Sequence, residues 1–272
     1  MRSRSSRLCS PSKHSWCNRL NDARTAGAAT PLEIRIDSKT YVSAEGKPVE
    51  IIRDLRLQLD AFSFGALIGP SGCGKTTILH IAAGLDPNFI GERRIPGRGR
   101  LGMVFQEPRL LPWRTVADNL RLVLSPDESL DELDGLIDTL GLGAHLSHYP
   151  GELSLGLARR VAIARAFAAR PDFLLLDEPF VSLDVAVAAR LREELTTLTQ
   201  RERVTTLLVT HDLTDAIQLA DKLFFLSTRP ARVAVEMALP PPRGARSKAM
   251  IDEIAGEVGA RVPAYRPETV RA

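Results

Sequence analysis

Two clusters of side chains in this sequence could handle phosphate. The first, Gly69-Pro70-Ser71-Gly72-Cys73-Gly74-Lys75-Thr76-Thr77, fits the pattern G-x-x-x-x-G-K-[ST]. Its three glycines let a backbone curl round phosphate oxygens with N–H groups turned inward, Lys75 can reach the β and γ phosphates, and the Thr76 hydroxyl can ligate Mg²⁺. The second cluster, Leu153 to Asp184, opens a helix at Ser154 and Gly156 and runs into the apolar strand Phe173 to Leu176, which ends in Asp177 and Glu178. Free N–H groups and the positive end of a helix dipole suit an anion at Ser154 and Gly156. Adjacent carboxylates at a strand end can divide the labour, one holding a metal ion and the other polarising water. The chemistry indicated is attack of water on a nucleoside triphosphate.

Each group needs an element to position it. Apolar Ala66 to Ile68 precedes the glycine loop as a strand, and Thr76 to Ala83 follows as a helix. The unbroken apolar run Phe173 to Leu176 is expected of a parallel strand covered on both faces, with its functional groups at the C-terminal end. After Pro171 strand and helix alternate: Phe173 to Leu176, a helix with Leu191, Leu195 and Leu198, then Val204 to Val209, Leu213 to Ala220 and Leu223 to Leu226. Such alternation predicts a parallel sheet with crossover helices. Upstream, Leu32 to Ile36 and Leu55 to Leu59 alternate as half-buried antiparallel strands do. Between Thr115 and Arg170 the period is helical, with Val116, Leu120, Val123 and Leu124 on one face and Leu130, Leu133, Leu136, Ile137 and Leu140 on the next. Pro240-Pro241-Pro242 is expected to end regular packing, leaving at most a short helix near Met250 to Val258.

With 272 residues, 44% of them hydrophobic and 25% charged, the chain has the make-up of a globular domain able to bury one substantial core or a core plus a small subdomain. No apolar run approaches the roughly 18 residues needed to span a bilayer, so membrane association would come through a partner. The net charge of +3 is a property of residues 1–31, which carry six basic and one acidic side chain. That Ser/Arg-rich tail has neither strand alternation nor a helical stripe and reads as disordered. It lacks the apolar segment of a secretory signal; its acid-poor make-up is compatible with a transit peptide, a misplaced start codon or a plain extension. Cys9 and Cys17 lie in it without the spacing of a zinc site or disulfide framework, and Cys73, inside the glycine loop, suggests a reducing compartment.

Further residues follow the glycine loop in a telling order. Gln106 ends the strand-like Leu101 to Phe105; then come Ser154 with Gly156, Asp177 with Glu178, Ser182-Leu183-Asp184, and Thr210-His211-Asp212 after an apolar strand. Together they resemble the ATP-binding cassette (ABC) ATPases over about residues 32 to 240. The resemblance implies an α/β fold, a P-loop NTPase core with a RecA-like parallel sheet, an antiparallel β-subdomain, and a helical subdomain inserted at about residues 109 to 170. Residues 1–31 and 241–272 would be extensions. It also implies that ATP lies on Gly69 to Thr77 with Tyr41 stacked on adenine, and that Mg²⁺ is held by Thr76, Asp177 and, once its loop is pulled in, Gln106. Glu178 would be the general base, His211 would contact the γ-phosphate, and Gln106 would sense a partner. Ser154 and Gly156 would bind the γ-phosphate of ATP held by a second copy of the chain, with Asp184 at that interface.

The run Gly102 to Val116, with Leu110-Leu111-Pro112-Trp113 after the sensor glutamine and Asn119 beyond, resembles the nitrate, sulfonate and taurine import ATPases, as do Ser227 to Arg232 and the later Pro-Pro-Arg. That branch implies uptake of a small anionic solute through a separate membrane permease, served indirectly by a solute-binding protein, at the cytoplasmic face of the inner membrane. Leu110, Leu111 and Trp113 would either form an apolar surface for a short permease helix or fold into the helical subdomain. A cassette acting on nucleic acid or ribosomes is the competing class, but neither an inserted coiled coil nor a second cassette is present, so no nucleic-acid partner is expected. The signature departs from the usual LSGGQ, reading Leu153-Ser154-Leu155-Gly156-Leu157. That substitution predicts reduced but real ATPase activity, or a regulatory cassette with weakened hydrolysis. His145 and His148 could share a metal but lack a third ligand nearby, and Arg159 and Arg160 are expected on a helix surface.

Overall fold

The computed structural model describes residues 30–262, so the tail with Cys9 and Cys17 and the last ten residues lie outside the described part. β1 (Leu32–Val42) buries Leu32, Ile34 and Ile36 on one face and pairs antiparallel with β2 (Pro48–Leu59), whose Leu55, Leu57 and Leu59 do the same. β3 (Phe64–Ile68) is buried at every residue and leads through the glycine loop into α1 (Lys75–Ala83). β4 (Ile90–Arg94) then returns to the other edge of β1, completing a three-stranded sheet of order β2-β1-β4. No apolar alternation announces β4, because most of it is exposed at a sheet edge. Its Gly91 is required: at φ 148 a Cβ would fall 2.0 Å from Arg35 O.

β5 (Leu101–Val104) opens the second sheet. The helical segment that follows comprises α2 (Val116–Arg121), α3 (Asp134–Thr139) and α4 (Leu155–Ala168) with short 3₁₀ turns between them. α2 is shorter than its apolar stripe predicts. It ends at Arg121 with Leu122 as its C-cap, and Val123 is exposed rather than on the buried face, whereas Leu124 packs against the core. Strand and helix then alternate as expected through β6 (Phe173–Asp177), α5 (Val185–Arg201), β7 (Thr205–Thr210), α6 (Leu213–Leu219) and β8 (Lys222–Leu226). β9 (Val233–Ala238), not foreseen, adds an antiparallel edge to β8. The resulting sheet has the order β5-β6-β7-β3-β8-β9, parallel except at β9.

Alternate residues of each central strand feed two cores. Phe64, Ala66, Ile68, Leu174, Leu176 and Leu208 join the helices on one face, whereas Leu67, Phe173, Leu175, Leu207 and Val209 pack with α1 and the antiparallel sheet on the other. Each such fully buried leucine, isoleucine, valine or phenylalanine contributes about 1.5–3 kcal/mol. α1 is thereby wedged between two sheets, fixing the loop at its N-terminus. Pro240-Pro241-Pro242 does not end the packing. Arg246 donates to the carbonyls of Ile217, Ala220, Leu239 and Pro241, and α7 (Lys248–Arg261) lays Ile251, Ile254 and Val258 on the core. The proline run is a bend, held by one guanidinium that satisfies the carbonyl end of α6.

Candidate nucleotide site

The glycine loop sits between a central parallel strand and a helix start. Gly72 (φ 74) and Gly74 (φ 124) adopt left-handed backbone that other residues resist, and Gly74 leaves the first N–H groups of α1 without a side-chain cap. Lys75 is only 8% exposed, and its Nζ donates to Gly69 O at 2.7 Å and Pro70 O at 3.1 Å. The ammonium therefore closes the loop on its own carbonyls, bonds that an arriving phosphate could replace. Cys73 turns its thiol into the core between the sheets, where burial pushes its pKa up, so it offers only backbone to a ligand. Beside the loop lies a cavity of about 310 Å³ bounded by Tyr41, Ser71, Lys75, Thr76, Thr77 and Glu178, with Arg229 and Ile51 completing its wall.

Tyr41 is not loose. Its hydroxyl donates to Asp86 at 2.6 Å, and buried Lys39, ion-paired with the same carboxylate at 2.7 Å, sits 4.5 Å from the ring centroid. Partial burial, then the Asp86 contact, raises the Tyr41 pKa and keeps the phenol neutral. A fixed aromatic ring at the cavity wall is suited to stacking on a base.

β6, paired on both sides, delivers Asp177 and Glu178 to its C-terminal end. Burial, then the charge of Glu178, raises the Asp177 carboxyl above its ordinary value, opposed by His80, Lys75 and Arg109. A half-buried carboxyl kept short of counter-charge, near the loop that carries the Thr76 hydroxyl, makes an all-oxygen donor set that fits a hard divalent cation such as Mg²⁺. Glu178 has φ 43, a strained conformation for a non-glycine residue, held by its N–H donating to Val209 O at 2.9 Å. Its Oε2 lies 3.1 Å from His211 Nδ1, so the expected base and the residue expected at the γ-phosphate are paired. Gln106 is exposed beyond the end of β5 and does not line the cavity.

Ser154, Gly156 and Asp184 occupy a different face. Ser154 Oγ caps α4 by accepting from Leu157 N at 3.3 Å, and Asp184 Oδ1 caps α5 by accepting from Val187 N at 2.9 Å. The two helix starts touch: a Cβ on Gly156 would meet Val187 Cγ1 at 2.7 Å. Leu155, where the usual pattern has glycine, is 41% exposed beside them. None of these residues borders the P-loop cavity of its own chain.

Arg159 corrects an expectation. It is buried, not on the surface, and it donates to Phe105 O at 3.4 Å and Val181 O at 3.1 Å, bracing the residue before Gln106 and the segment before Ser182. Arg160 pairs with Glu194 at 3.1 Å. Arg165, half-buried, donates to Pro108 O and Arg109 O, at 3.2 and 2.9 Å. Fully buried Asn119 bonds Leu111, Arg114 and Thr115 backbone, which rigidifies the LLPW loop. Of that loop Leu110 packs against the core while Trp113 is 71% exposed, so the apolar side chains divide between core and surface. His145 and His148 approach to 3.1 Å between Nδ1 atoms, and among the described residues they form no cluster of three metal-ligating side chains.

A phosphate-cradling loop between a parallel strand and a helix, with paired carboxylates at the end of a second parallel strand, defines a P-loop nucleotide triphosphatase. Comparison with known proteins narrows the class. The ABC transporter family profile matches residues 52–181. Aliphatic sulfonates import ATP-binding protein SsuB 2 of Burkholderia cenocepacia is 39% identical over 236 residues, 83% of this chain and 86% of that protein. The SsuB protein of Bacillus licheniformis is 40% identical over 226 residues, 79% of this chain and 88% of its own. Among solved structures, a dimeric ATP-binding cassette, MJ0796, in a post-hydrolysis state with ADP and Pi aligns with TM-score 0.66 at 27% identity, covering 78% of this chain and all of that one. The chain belongs to the ABC transporter family, as an ATP-binding subunit whose ATPase activity is coupled to transport.

Proposed function

We propose that this subunit hydrolyses ATP at two composite sites in a homodimer to energise import of a small anionic solute, an organic sulfonate first and taurine or nitrate as relatives, through a separate permease. The observation that carries hydrolysis is the Glu178–His211 contact of 3.1 Å at the mouth of the Lys75 loop. Phosphate oxygens entering the loop would take over the Lys75 ammonium from Gly69 O and Pro70 O. Thr76 and Asp177 would hold Mg²⁺, with Gln106 joining when its loop closes; when bound, Mg²⁺ neutralises charge on the β and γ phosphates. Glu178 then accepts the proton of the attacking water, and His211 fixes the orientation of that carboxylate.

Ser154, Gly156 and Asp184 have nothing to do at their own cavity, which supports a role at the partner's ATP in a head-to-tail pair. The MJ0796 cassette is a dimer, which supports pairing of two copies. No helix among the described residues is long and apolar enough to cross a membrane, and exposed Trp113 on its rigid loop offers a docking point for a permease segment at the cytoplasmic face. The cargo assignment rests on the relatives, named as aliphatic sulfonate import proteins.

Turnover of Glu178→Gln tests the base. ATP should still bind while hydrolysis falls about 10²- to 10⁴-fold; a variant with full turnover refutes the assignment. ATPase stimulation by a sulfonate with its binding protein, in a complex reconstituted with the permease, tests the cargo, and stimulation by an unrelated solute alone would refute it.

A further inference from the structure

The turn between β8 and β9, Ser227-Thr228-Arg229-Pro230-Ala231-Arg232, has no role in the chemistry described above. It is nevertheless built firmly against the site. Ala231 N donates to Ile51 O at 2.7 Å, Arg53 N donates to Ala231 O at 3.1 Å, and Ser227 N donates to Arg232 O at 3.0 Å. Ser227 Oγ also accepts from Arg232 N at 3.1 Å. A Cβ on Gly74 would stand 3.6 Å from Ala231 Cβ, so the last loop glycine leans on this turn.

Fixed backbone thus presents Arg229 beside the phosphate loop. Its Nε donates to Gly72 O, and its exposed side chain forms part of the cavity wall shared by Tyr41, Lys75, Thr76 and Glu178. Arg160, Arg170 and Arg192 all meet carboxylates at ion-pair distance. Among the described residues Arg229 has no such pair; its hydrogen bond goes to a neutral carbonyl. A guanidinium has five N–H donors, so most remain free for a ligand, and its charge lies where a polyphosphate would enter.

Resting on the nucleotide-site reading above, we propose that Arg229 is a nucleotide-binding residue, a second cation contributed by the β8–β9 turn that binds the polyphosphate of ATP or ADP alongside Lys75. Its guanidinium rests on Gly72 O. Nucleotide entry exchanges that carbonyl for a phosphate oxygen, in step with the exchange at Lys75, and no bond is made or broken covalently.

The test is titration of the full chain with ADP and ATP at several salt concentrations, for the parent and for Arg229→Gln and Arg229→Lys. Glutamine keeps an N–H for Gly72 O but no charge, whereas lysine keeps the charge. Arg229→Gln should weaken binding of both nucleotides about tenfold and flatten its salt dependence, and Arg229→Lys should recover most of the loss. Thermal unfolding without nucleotide should match the parent, because Arg229 is exposed. Binding within twofold of the parent for Arg229→Gln would overturn the proposal, as would an equal loss in both variants, which would make the side chain a brace for the loop. A parent chain that binds no ADP would overturn the nucleotide-site reading and this one with it.

Discussion

Replacing Gly156 by alanine tests how the signature helix is tied to the segment carrying Asp184. The new methyl would stand 2.7 Å from Val187 Cγ1, where ordinary contact begins at 3.4 Å, so one partner must yield by about 0.7 Å. Val187 is β-branched and stiff, and its N–H is the one that the Asp184 cap holds, so the displacement falls on the helix start. Overpacking of this kind costs about 1–3 kcal/mol, offset by up to about 1 kcal/mol because alanine favours helix over glycine. The net loss expected in urea unfolding is therefore about 0–2 kcal/mol, a small effect on folding. ATPase activity should suffer more, about tenfold or greater, because a shift of the order of an ångström misplaces groups meant for phosphate. Val187→Ala should remove the clash: the double variant should regain most of the activity lost by Gly156→Ala. Strictly additive losses would refute the steric coupling and leave Gly156 with a purely local role.

Other outcomes follow from the same contacts. Arg159→Met should leave Phe105 O and Val181 O without a donor, costing about 1–3 kcal/mol of stability in denaturant unfolding and lowering kcat more than nucleotide affinity. Leu155→Gly should preserve or raise steady-state ATPase activity, since the exposed leucine sits at the face offered to a partner; a fall with folding intact would count against that placement. Burial, then the charge of Asp212, pushes the Asp215 carboxyl up to about 6 despite its contact with Arg192. The folded chain then binds a proton that the unfolded chain has released, so this group's contribution is fully present below about pH 4 and is lost as pH rises through about 6, with a slope of at most about 1.4 kcal/mol per pH unit. Asp215→Asn should flatten that part of the stability profile.

The sequence is explicit where chemistry demands particular residue types at short range. Gly69 to Thr77 must be glycine-rich and basic to hold phosphate, and Phe173 to Glu178 must be an apolar strand ending in acids, so both are legible without a fold. Contacts between distant segments are not. Arg159 reads as a surface charge because its carbonyl partners lie 54 and 22 residues away, and Arg229 meets Gly72 across 157 residues. β4 escapes because an exposed edge strand needs no alternation. The helix near Met250 to Val258 is legible, but its packing on the core is not, because the bend at Pro240 to Pro242 that returns it is stabilised by Arg246, two of whose acceptors, Ile217 O and Ala220 O, lie 29 and 26 residues away at the end of α6.

The central claim is that Ser154 and Gly156 serve the partner's ATP while Lys75 and Glu178 serve their own. The most direct measurement is the mass in solution of Glu178→Gln with ATP, alone and combined with Ser154→Arg, alongside the affinity of each for ATP as a monomer. Glu178→Gln should form a dimer with ATP but not with ADP, and adding Ser154→Arg should abolish the dimer while leaving monomer affinity unchanged. A dimer that persists with Ser154→Arg, or a monomer whose ATP affinity falls with it, would contradict the division between subunits.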